Sequence, residues 1–265
     1  MESRSQLIVT MPALYRPEIL ATTLWSFERG LFCQFSKRTL IINLDPVGVA
    51  EDLLPEKRQR IFDLASQHFD QIISRASDHP SFSVAVQWIW QQAVNRQDQS
   101  RDVEYLLHLE DDWVLNRAVP VAVVDTLLSQ PKVGSVRLQR QKQPVTDHRL
   151  SLNPVFLHIG FIRQALPLFR LDKDPEKQFS MQPLLSALSD WRHLVMPDGQ
   201  GGWVSDIGVH WRKSRNLEKV SELGTSRWRA GNSGRIVLAR NWMILKFKLF
   251  IYRTRVRLIT KGRVS

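Results

Sequence analysis

The strongest constraint on the fold of this chain is a repeated alternation of short apolar segments with longer segments of helical periodicity. The apolar or β-branched segments, which are typical of buried strands, are residues 7–11, 39–44, 72–74, 105–109 and 134–138. The helical patterns between them cover residues 17–30, 53–69, 81–94 and 119–128. This order predicts an α/β fold with a mostly parallel central sheet and right-handed crossovers.

Polar residues close several of these predicted strands. Ligands of parallel α/β sheets bind beyond the carboxyl ends of the strands, so these residues are the first candidates for a functional site. They are Thr10 near the end of the first strand, Asp45 after the second, and the acidic run Glu110, Asp111 and Asp112 after the strand at 105–109. Pro12 is expected to end the first strand and to begin a loop.

The acidic run is the most informative of these features, because three adjacent carboxylates repel one another and a divalent cation would relieve the repulsion. Carboxylate oxygens suit Mg²⁺ or Mn²⁺, which often take one or two carboxylates together with phosphate oxygens. In an extended chain Glu110 and Asp112 would share one side, with Asp111 turned away. The alternative is a solvated acidic turn that caps the following helix.

Four segments together resemble nucleotide-sugar glycosyltransferases of the GT-A fold, particularly family 2-like enzymes with an acidic DxD-type motif. They are LIVTMPALYRPEILATTLWSF (7–27), TLIINLDP (39–46), YLLHLEDDW (105–113), and SLNPVFLHIGFIRQAL (151–166) with DPEKQF (174–179). They occur in the family's order and extend over roughly residues 7 to 215. The acidic run departs from a strict DxD motif, since its first member is Glu110. The resemblance implies a Rossmann-like three-layer α/β/α sandwich.

For the donor side, the resemblance implies binding of a nucleotide-diphosphate sugar with Mn²⁺ or Mg²⁺. The implied contacts are Thr10, Pro12 and Arg16 in a loop against the nucleotide, Asp45 at the base, Asp112 at the metal, Glu110 or Asp111 at the ribose or a metal-bound water, and His210 as a further metal or diphosphate contact. A structural histidine is the alternative for His210, although Arg212 and Lys213 beside it would suit a diphosphate.

For the acceptor side, the resemblance implies a carboxylate from the segment that contains Asp174 and Glu176. Attack by a hydroxyl group on an anomeric carbon needs a base, and a carboxylate with a raised pKa serves that role. Glu176 is the candidate base of an inverting mechanism, with Asp174 nearby as a substitute. The alternative for Glu176 is an acid that stabilises a helix N-terminus after Pro175.

Positive charge is concentrated in the last fifth of the chain. The whole sequence carries 37 Lys and Arg against 26 Asp and Glu, a net charge of +11. Residues 212–265 contain fifteen of these bases and two of the acids, or +13, which leaves 22 bases and 24 acids, or −2, for residues 1–211. The body therefore lacks the charge of a nucleic-acid-binding protein. Cys33 is the single cysteine, which excludes a disulfide-stapled scaffold.

The sequence predicts a GT-A-like catalytic domain at 1–235 and a basic, apolar C-terminal segment at 236–265. Three uses of this segment compete: it lies on an anionic membrane, which is favoured, it packs on the body, or it binds nucleic acid, which is disfavoured. No run of ~18 apolar residues is present, so we expect a cytoplasmic protein, peripheral to the membrane.

The predicted activity is metal-dependent transfer of a sugar to a hydroxyl group of a glycan or lipid-linked saccharide. A metal-dependent phosphohydrolase or nucleotidyltransferase is a second hypothesis, because the same acids would serve phosphate chemistry. A non-enzymatic protein that binds membranes or nucleic acid is a third.

Overall fold

The alternation of strands and helices is present in the computed structural model, which describes residues 4–100, 104–140, 150–197, 202–222, 225–231 and 235–261. The strands are β1 (Arg4–Leu14), β2 (Phe35–Asp45), β3 (Gln71–Ala76), β4 (Tyr105–His108), β5 (Trp113–Leu115), β6 (Val133–Arg137), β7 (Val155–His158), β8 (Arg192–Val195), β9 (Val204–Asp206), β10 (Leu217–Glu222) and β11 (Thr225–Ala230). The helices are α1 (Pro17–Gly30), α2 (Leu54–Ala65), α3 (Phe82–Ser100), α4 (Val121–Leu128), α5 (Ile159–Ala165), α6 (Leu184–Ala187), α7 (Gly208–Ser214) and α8 (Arg235–Lys261).

Seven strands form the central sheet in the order β3-β2-β1-β4-β7-β6-β8. All neighbouring pairs are parallel except the two that involve β7, which runs antiparallel to both β4 and β6. The chain extends the sheet from β1 through β2 to β3, and then crosses back to place β4 on the other side of β1. The crevice at such a reversal, beyond the carboxyl ends of β1 and β4, is where open α/β sheets bind their ligands.

Helices cover both faces of this sheet, which confirms the predicted three-layer sandwich. Successive side chains of a strand point to opposite faces. Leu7 and Val9 of β1 accordingly pack in one core with Phe27 of α1, whereas Ile8 packs in another with Trp90 of α3. Each fully buried side chain of this size contributes about 1.5–3 kcal/mol to folding through the hydrophobic effect.

The first strand extends further than predicted. Thr10 lies inside β1, as the apolar pattern predicted and not in the loop that the resemblance implied. Pro12 also lies inside β1, which continues to Leu14. The carbonyl of Thr10 accepts a hydrogen bond from the N–H of Leu109, so the backbone of Pro12, two residues on, faces the same side of the strand. Pairing with β4 has ended there, so the missing N–H of proline breaks no ladder bond.

A third, smaller core joins the C-terminal part of the chain to the sandwich. Leu245 and Leu249 of α8 pack in it with Ile19 of α1 and Trp211 of α7. The basic C-terminal segment thus forms a helix over Arg235–Lys261, and one face of this helix packs on the body. Within the described ranges, no helix is long and apolar enough to cross a membrane.

His108 of β4 is fully buried, and its ring lies on the face of the sheet that α3 covers. The indole Nε1–H of Trp90 donates to its Nδ1 at 3.3 Å, so Nδ1 is an acceptor and the ring proton resides on Nε2. The hydroxyl of Thr10 lies 3.2 Å from the same nitrogen. Burial lowers the pKa of His108 to about 3, and it lowers the pKa of His193 in β8 to about 4.

These histidines predict loss of stability in mild acid. Their native pKa values lie below the unfolded value, so the unfolded chain binds more protons below about pH 6.5, and acid favours unfolding. Each contributes a slope of up to about 1.4 kcal/mol per pH unit between its two pKa values. The free energy of unfolding, measured with urea between pH 7 and 4.5, should show this slope. His193→Gln should remove the contribution of one proton, up to about 1.4 kcal/mol per pH unit. The exposed His79→Gln is the control, and an unchanged slope in His193→Gln would contradict the assignment.

Candidate active site at the carboxyl ends of the strands

A buried ion-pair cluster lies where β1 and β4 end. Arg16 follows β1, and its guanidinium group binds the Asp111 carboxylate in a bidentate manner, with Nε to Oδ2 at 2.7 Å and Nη2 to Oδ1 at 2.6 Å. The same Nη2 reaches Oδ2 of Asp112 at 2.8 Å. The N–H of Leu14 also donates to Asp111, at 3.3 Å. These bonds tie the end of β1 to the turn that follows β4.

All three charged side chains are almost completely removed from solvent, with side-chain exposures of 1–5%. Burial would by itself lower the pKa of Arg16, but the charges and hydrogen bonds of Asp111 and Asp112 raise it above its ordinary value. Burial likewise raises the pKa of Asp111, against the attraction of Arg16. Trp211 covers the guanidinium group, with its ring centroid 5.0 Å from the Arg16 Cζ. The short bidentate contacts between Arg16 and Asp111 are those of a guanidinium–carboxylate ion pair, and such contacts are strong in a dry environment.

The short ladder between β5 and β9 brings two more charged residues to the cluster. Trp113 pairs with Asp206, and the N–H of Ile207 donates to the carbonyl of Asp112 at 2.9 Å. Arg212 of α7 then lies between two carboxylates, 3.6 Å from Oδ2 of Asp112 and 3.7 Å from Oδ2 of Asp206. These distances exceed those of good hydrogen bonds, so Arg212 is held much more loosely than Arg16.

The charges in this region balance one another. Asp111, Asp112 and Asp206 face Arg16 and Arg212, and Arg140 adds a third guanidinium group, which approaches Asp206 at 3.9 Å. Burial and then the Asp112 charge raise the pKa of Asp206. Asp206 also caps the first turn of α7, since its Oδ1 accepts hydrogen bonds from two backbone N–H groups of that turn.

Gly208 at the start of α7 makes room for the Asp112 carboxylate. A Cβ atom at this position would lie 1.8 Å from Oδ2 of Asp112. Any larger residue would displace either the carboxylate or the helix, so glycine is required here by the close approach of the backbone.

The donor set fits a divalent cation that takes few protein ligands. Asp112 and Asp206 supply hard carboxylate oxygens that share one loosely held counter-ion, Arg212. Mg²⁺-type sites commonly use one or two carboxylates and complete their shell with phosphate oxygens and water. Among the residues that the structure describes, no group of three or more His, Cys, Asp or Glu could hold a metal by itself.

The expected orientation of the acidic run is wrong. Asp111 does not turn away from Asp112: residues 111 and 112 form a turn, and both carboxylates reach Arg16. The prediction assumed an extended chain, whereas β4 ends at His108 and the turn brings adjacent side chains to the same side. Glu110 is half-buried just before this turn. Its predicted role at the ribose or at a metal-bound water stays a prediction.

Asp45 lies at the predicted end of β2, inside a polar network. Its Oδ1 accepts a hydrogen bond from Asn43 at 2.8 Å and its Oδ2 accepts one from the N–H of Ser81 at 3.1 Å. Burial raises its pKa, against hydrogen bonds from Ser77, Asn43 and Ser81. Arg75 of β3 donates to Asn43 at 2.7 Å and adds a positive charge near Asp45 that the sequence analysis did not single out.

Asp174 and Glu176 differ in their surroundings. Asp174 is buried, and its Oδ1 accepts from the N–H groups of Glu176 at 3.0 Å and Lys177 at 3.2 Å, so it orders this turn. Glu176 is half-buried beside it. The carbonyl of Lys173 accepts a hydrogen bond from the hydroxyl of Ser83 in α3, which fixes the segment against that helix.

His210 of α7 is bound by a cation rather than by a carboxylate. The ammonium group of Lys248 in α8 lies 2.6 Å from its Nε2. Burial, and then Lys248 and Lys213, lower the pKa of His210, so the neutral ring accepts the hydrogen bond at neutral pH. The metal role predicted for His210 finds no support in this contact and stays a prediction.

Two cavities share Tyr15 as a lining residue. One of about 210 Å³ is lined by Val49, Lys57, Trp211 and Arg215 among others. The other, of about 410 Å³, extends along the start of α2. The smaller cavity reaches Trp211, the residue that covers Arg16.

Solved structures with the same fold are glycosyltransferases. The mannosyltransferase PcManGT from Pyrobaculum calidifontis, in complex with GDP-Man and Mn²⁺, matches 80% of this chain with a TM-score of 0.50 and 12% identity. TarS from S. aureus matches 75% with a TM-score of 0.50 and 10% identity. The matches span 61% and 36% of those two longer chains. No family model and no curated protein sequence matches. The chain therefore has a GT-A-like fold.

The two aspartates bound to Arg16 should differ in their effect on stability. Asp111→Asn removes the charge that both guanidinium contacts depend on, and breaking a buried pair in this way costs about 3–5 kcal/mol. Asp112→Asn leaves the bidentate Arg16–Asp111 pair intact and should cost about 1–2 kcal/mol. Urea unfolding measures both. Equal losses, or a greater loss in Asp112→Asn, would contradict the assignment of Asp111 as the main partner of Arg16.

Proposed function

We propose that this protein is a glycosyltransferase that moves a sugar from a nucleotide-diphosphate sugar to a hydroxyl group of a glycan or lipid-linked saccharide. The observation that carries the proposal is the cluster of Arg16, Asp111 and Asp112 at the crevice between β1 and β4 in a GT-A-like sheet. The nucleotide-sugar bound to the mannosyltransferase with the same fold supports this choice of donor.

On the donor side, Asp112 and Asp206 would hold Mn²⁺ or Mg²⁺, the cations predicted from the sequence. When bound, such a cation supplies positive charge to the diphosphate leaving group. Arg16 keeps Asp111 and Asp112 in place, and Trp211 covers the Arg16 guanidinium group. Arg212 is the guanidinium group that can leave its carboxylates and donate to diphosphate oxygens, because its present contacts are long.

The remainder of the donor would extend over the end of β2. Asp45 would accept hydrogen bonds from the base, and the cavities beside Tyr15 lie at the same edge of the sheet. Thr10 contributes differently from the sequence prediction: its buried hydroxyl contacts His108 and holds β1 against β4. Arg16 and Pro12 position the strand end, and any contact that they make with the nucleotide stays a prediction.

On the acceptor side, Glu176 would take the proton from the attacking hydroxyl group. Asp174 would act as a positioning residue, because its carboxylate already holds the backbone N–H of Glu176. The proposed place of action is the cytoplasmic side of a membrane, to which the protein binds peripherally.

Donor binding provides the direct test. UDP and GDP should each be added in saturating excess with Mn²⁺, and the Tm of the protein should be measured. A ligand present at 100 times its Kd raises the Tm by roughly 5–10 °C. Asp112→Asn and Asp206→Asn should each lose the Mn²⁺-dependent part of the rise. Asp190→Asn, at an exposed acid, is the matched control. No response to either nucleotide, or full response in both site variants, would reject the donor site.

Replacement of the proposed base should separate binding from transfer. Glu176→Gln keeps the shape of the side chain but cannot accept a proton, and loss of a general base typically slows a reaction by 10²–10⁴-fold. We expect an unchanged Kd for the donor and a loss of transfer of this size, measured with radiolabelled nucleotide-sugar and a mixed saccharide acceptor. Turnover within a few-fold of the wild type would exclude Glu176. Release of phosphate without any sugar acceptor would instead favour a phosphohydrolase.

A further inference from the structure

Helix α8 presents apolar side chains on two opposite faces. Leu245 and Leu249 on the inner face are 4% and 5% exposed, in the core shared with α1 and α7. On the outer face, Met243, Phe247 and Phe250 are 60%, 64% and 66% exposed. The inner face accounts for the attachment of the helix to the body, whereas the side chains of the outer face are largely exposed.

The exposed residues form one continuous ridge along the helix. Met243, Phe247 and Phe250 follow one another at i, i+4 and i+7, the spacing that places side chains above one another on one side of a helix. Scattered exposed apolar residues are ordinary on protein surfaces, but a contiguous ridge of a methionine and two phenylalanines marks an interaction site.

Cationic side chains border this ridge. Arg240 and Lys246 are exposed on the same half of the helix, and the Lys246 Nζ lies 5.2 Å from the ring centroid of Trp242, which is itself 51% exposed. The surrounding sequence carries the +13 of residues 212–265. Aromatic and aliphatic side chains flanked by Lys and Arg suit the boundary between headgroups and acyl chains of an anionic bilayer.

We propose that the ridge of Met243, Phe247 and Phe250 docks this protein on an anionic membrane surface, with α8 in the plane of the interface. The outer face enters the acyl boundary while the inner face remains packed on α1 and α7. Arg240 and Lys246 contact the phosphate groups of the lipids. The inference rests on the peripheral membrane location proposed above, which it deepens by naming the docking surface, and it does not depend on the transfer reaction.

Charge decides between this partner and the two other occupants of such a ridge. A second copy of the chain would bring two strongly basic segments together, and their repulsion opposes a symmetric contact through α8. Duplex nucleic acid would use the cations through its phosphates, but its bases are stacked inside the helix, so Met243, Phe247 and Phe250 would have no apolar partner. An anionic bilayer satisfies both kinds of side chain.

The docking surface lies close to the candidate active site. Helix α7 connects the two, because its Trp211 covers Arg16 on one side and packs against Leu245 and Leu249 of α8 on the other. Lys248 of α8 also binds His210 of α7. A membrane at the outer face of α8 would therefore stand one helix away from the buried ion pairs, which suits an acceptor held in the same membrane.

Co-sedimentation with vesicles tests the inference. The full chain is titrated with phosphatidylcholine vesicles and with vesicles that contain 30% phosphatidylglycerol. The triple variant Met243→Gln, Phe247→Gln, Phe250→Gln should lose at least tenfold in affinity for the anionic vesicles. A matched triple variant replaces Met181, Leu171 and Leu185 by Gln, which are 40–51% exposed on other elements, and should bind like the wild type.

Stability, charge dependence and oligomeric state provide the remaining tests of the docking surface. Because the replaced side chains are exposed, both variants should keep the wild-type unfolding midpoint, which shows that any loss of binding is not unfolding. Arg240→Gln with Lys246→Gln should weaken binding to the anionic vesicles only, and added salt should do the same. Equal vesicle binding by both triple variants, or equal binding of the wild type to both kinds of vesicle, overturns the proposal. A dimer in solution that the ridge variant converts to a monomer assigns the ridge to a second copy and overturns it as well.

Discussion

The buried guanidinium group of Arg16 is the interaction on which the rest of the site depends. Buried carboxylates are tolerated only where a cation pairs with them at hydrogen-bond distance, and the Arg16 contacts of 2.6–2.8 Å to Asp111 and Asp112 meet that condition. Arg16 immediately follows β1, whereas Asp111 and Asp112 follow β4. The ion pairs therefore join the two strands at the point where the order of the sheet reverses, and they fix the position of the crevice.

The packing of the C-terminal elements follows from the same cluster. Trp211 covers the guanidinium group, Gly208 leaves space for the Asp112 carboxylate, and Arg212 lies between Asp112 and Asp206. Helix α7 is thus held against the acids by its own side chains, and α8 is held against α7 by a small apolar core. Asp112 contacts both arginines. Arg16 is tightly bound and maintains the geometry of the cluster, whereas Arg212 is loosely bound and can exchange for another cation.

Local patterns in the sequence predicted an α/β fold with a mostly parallel sheet, because strands and helices here differ clearly in hydrophobic period. The three-layer sandwich was implied by the resemblance to GT-A glycosyltransferases. The local patterns also located Asp45 and the acidic run at strand ends. They noted Arg212 beside His210 but did not identify Asp206 or its contact with Arg212. The pairing of β5 with β9, which brings Asp206 to the cluster, joins residues about ninety positions apart, and each strand has only three residues. The turn at Asp111 was missed because period-two alternation was extended past the end of β4. Helix α8 could not be assigned because apolar side chains on two opposite faces remove the single-sided pattern by which an amphipathic helix is recognised.

Asp111 is the main ion-pair partner of Arg16, and we propose that Asp112 binds the cation that accompanies the donor. Crystals grown with Mn²⁺ and a nucleoside diphosphate, measured at the manganese absorption edge, test it most directly. We expect an anomalous peak within coordination distance of the Asp112 carboxylate. The bidentate Arg16–Asp111 pair should be unchanged, and Arg212 should have moved from its place between Asp112 and Asp206. A peak remote from Asp112, or bound nucleotide with Arg16 and Arg212 still holding that carboxylate and no manganese beside it, would contradict it.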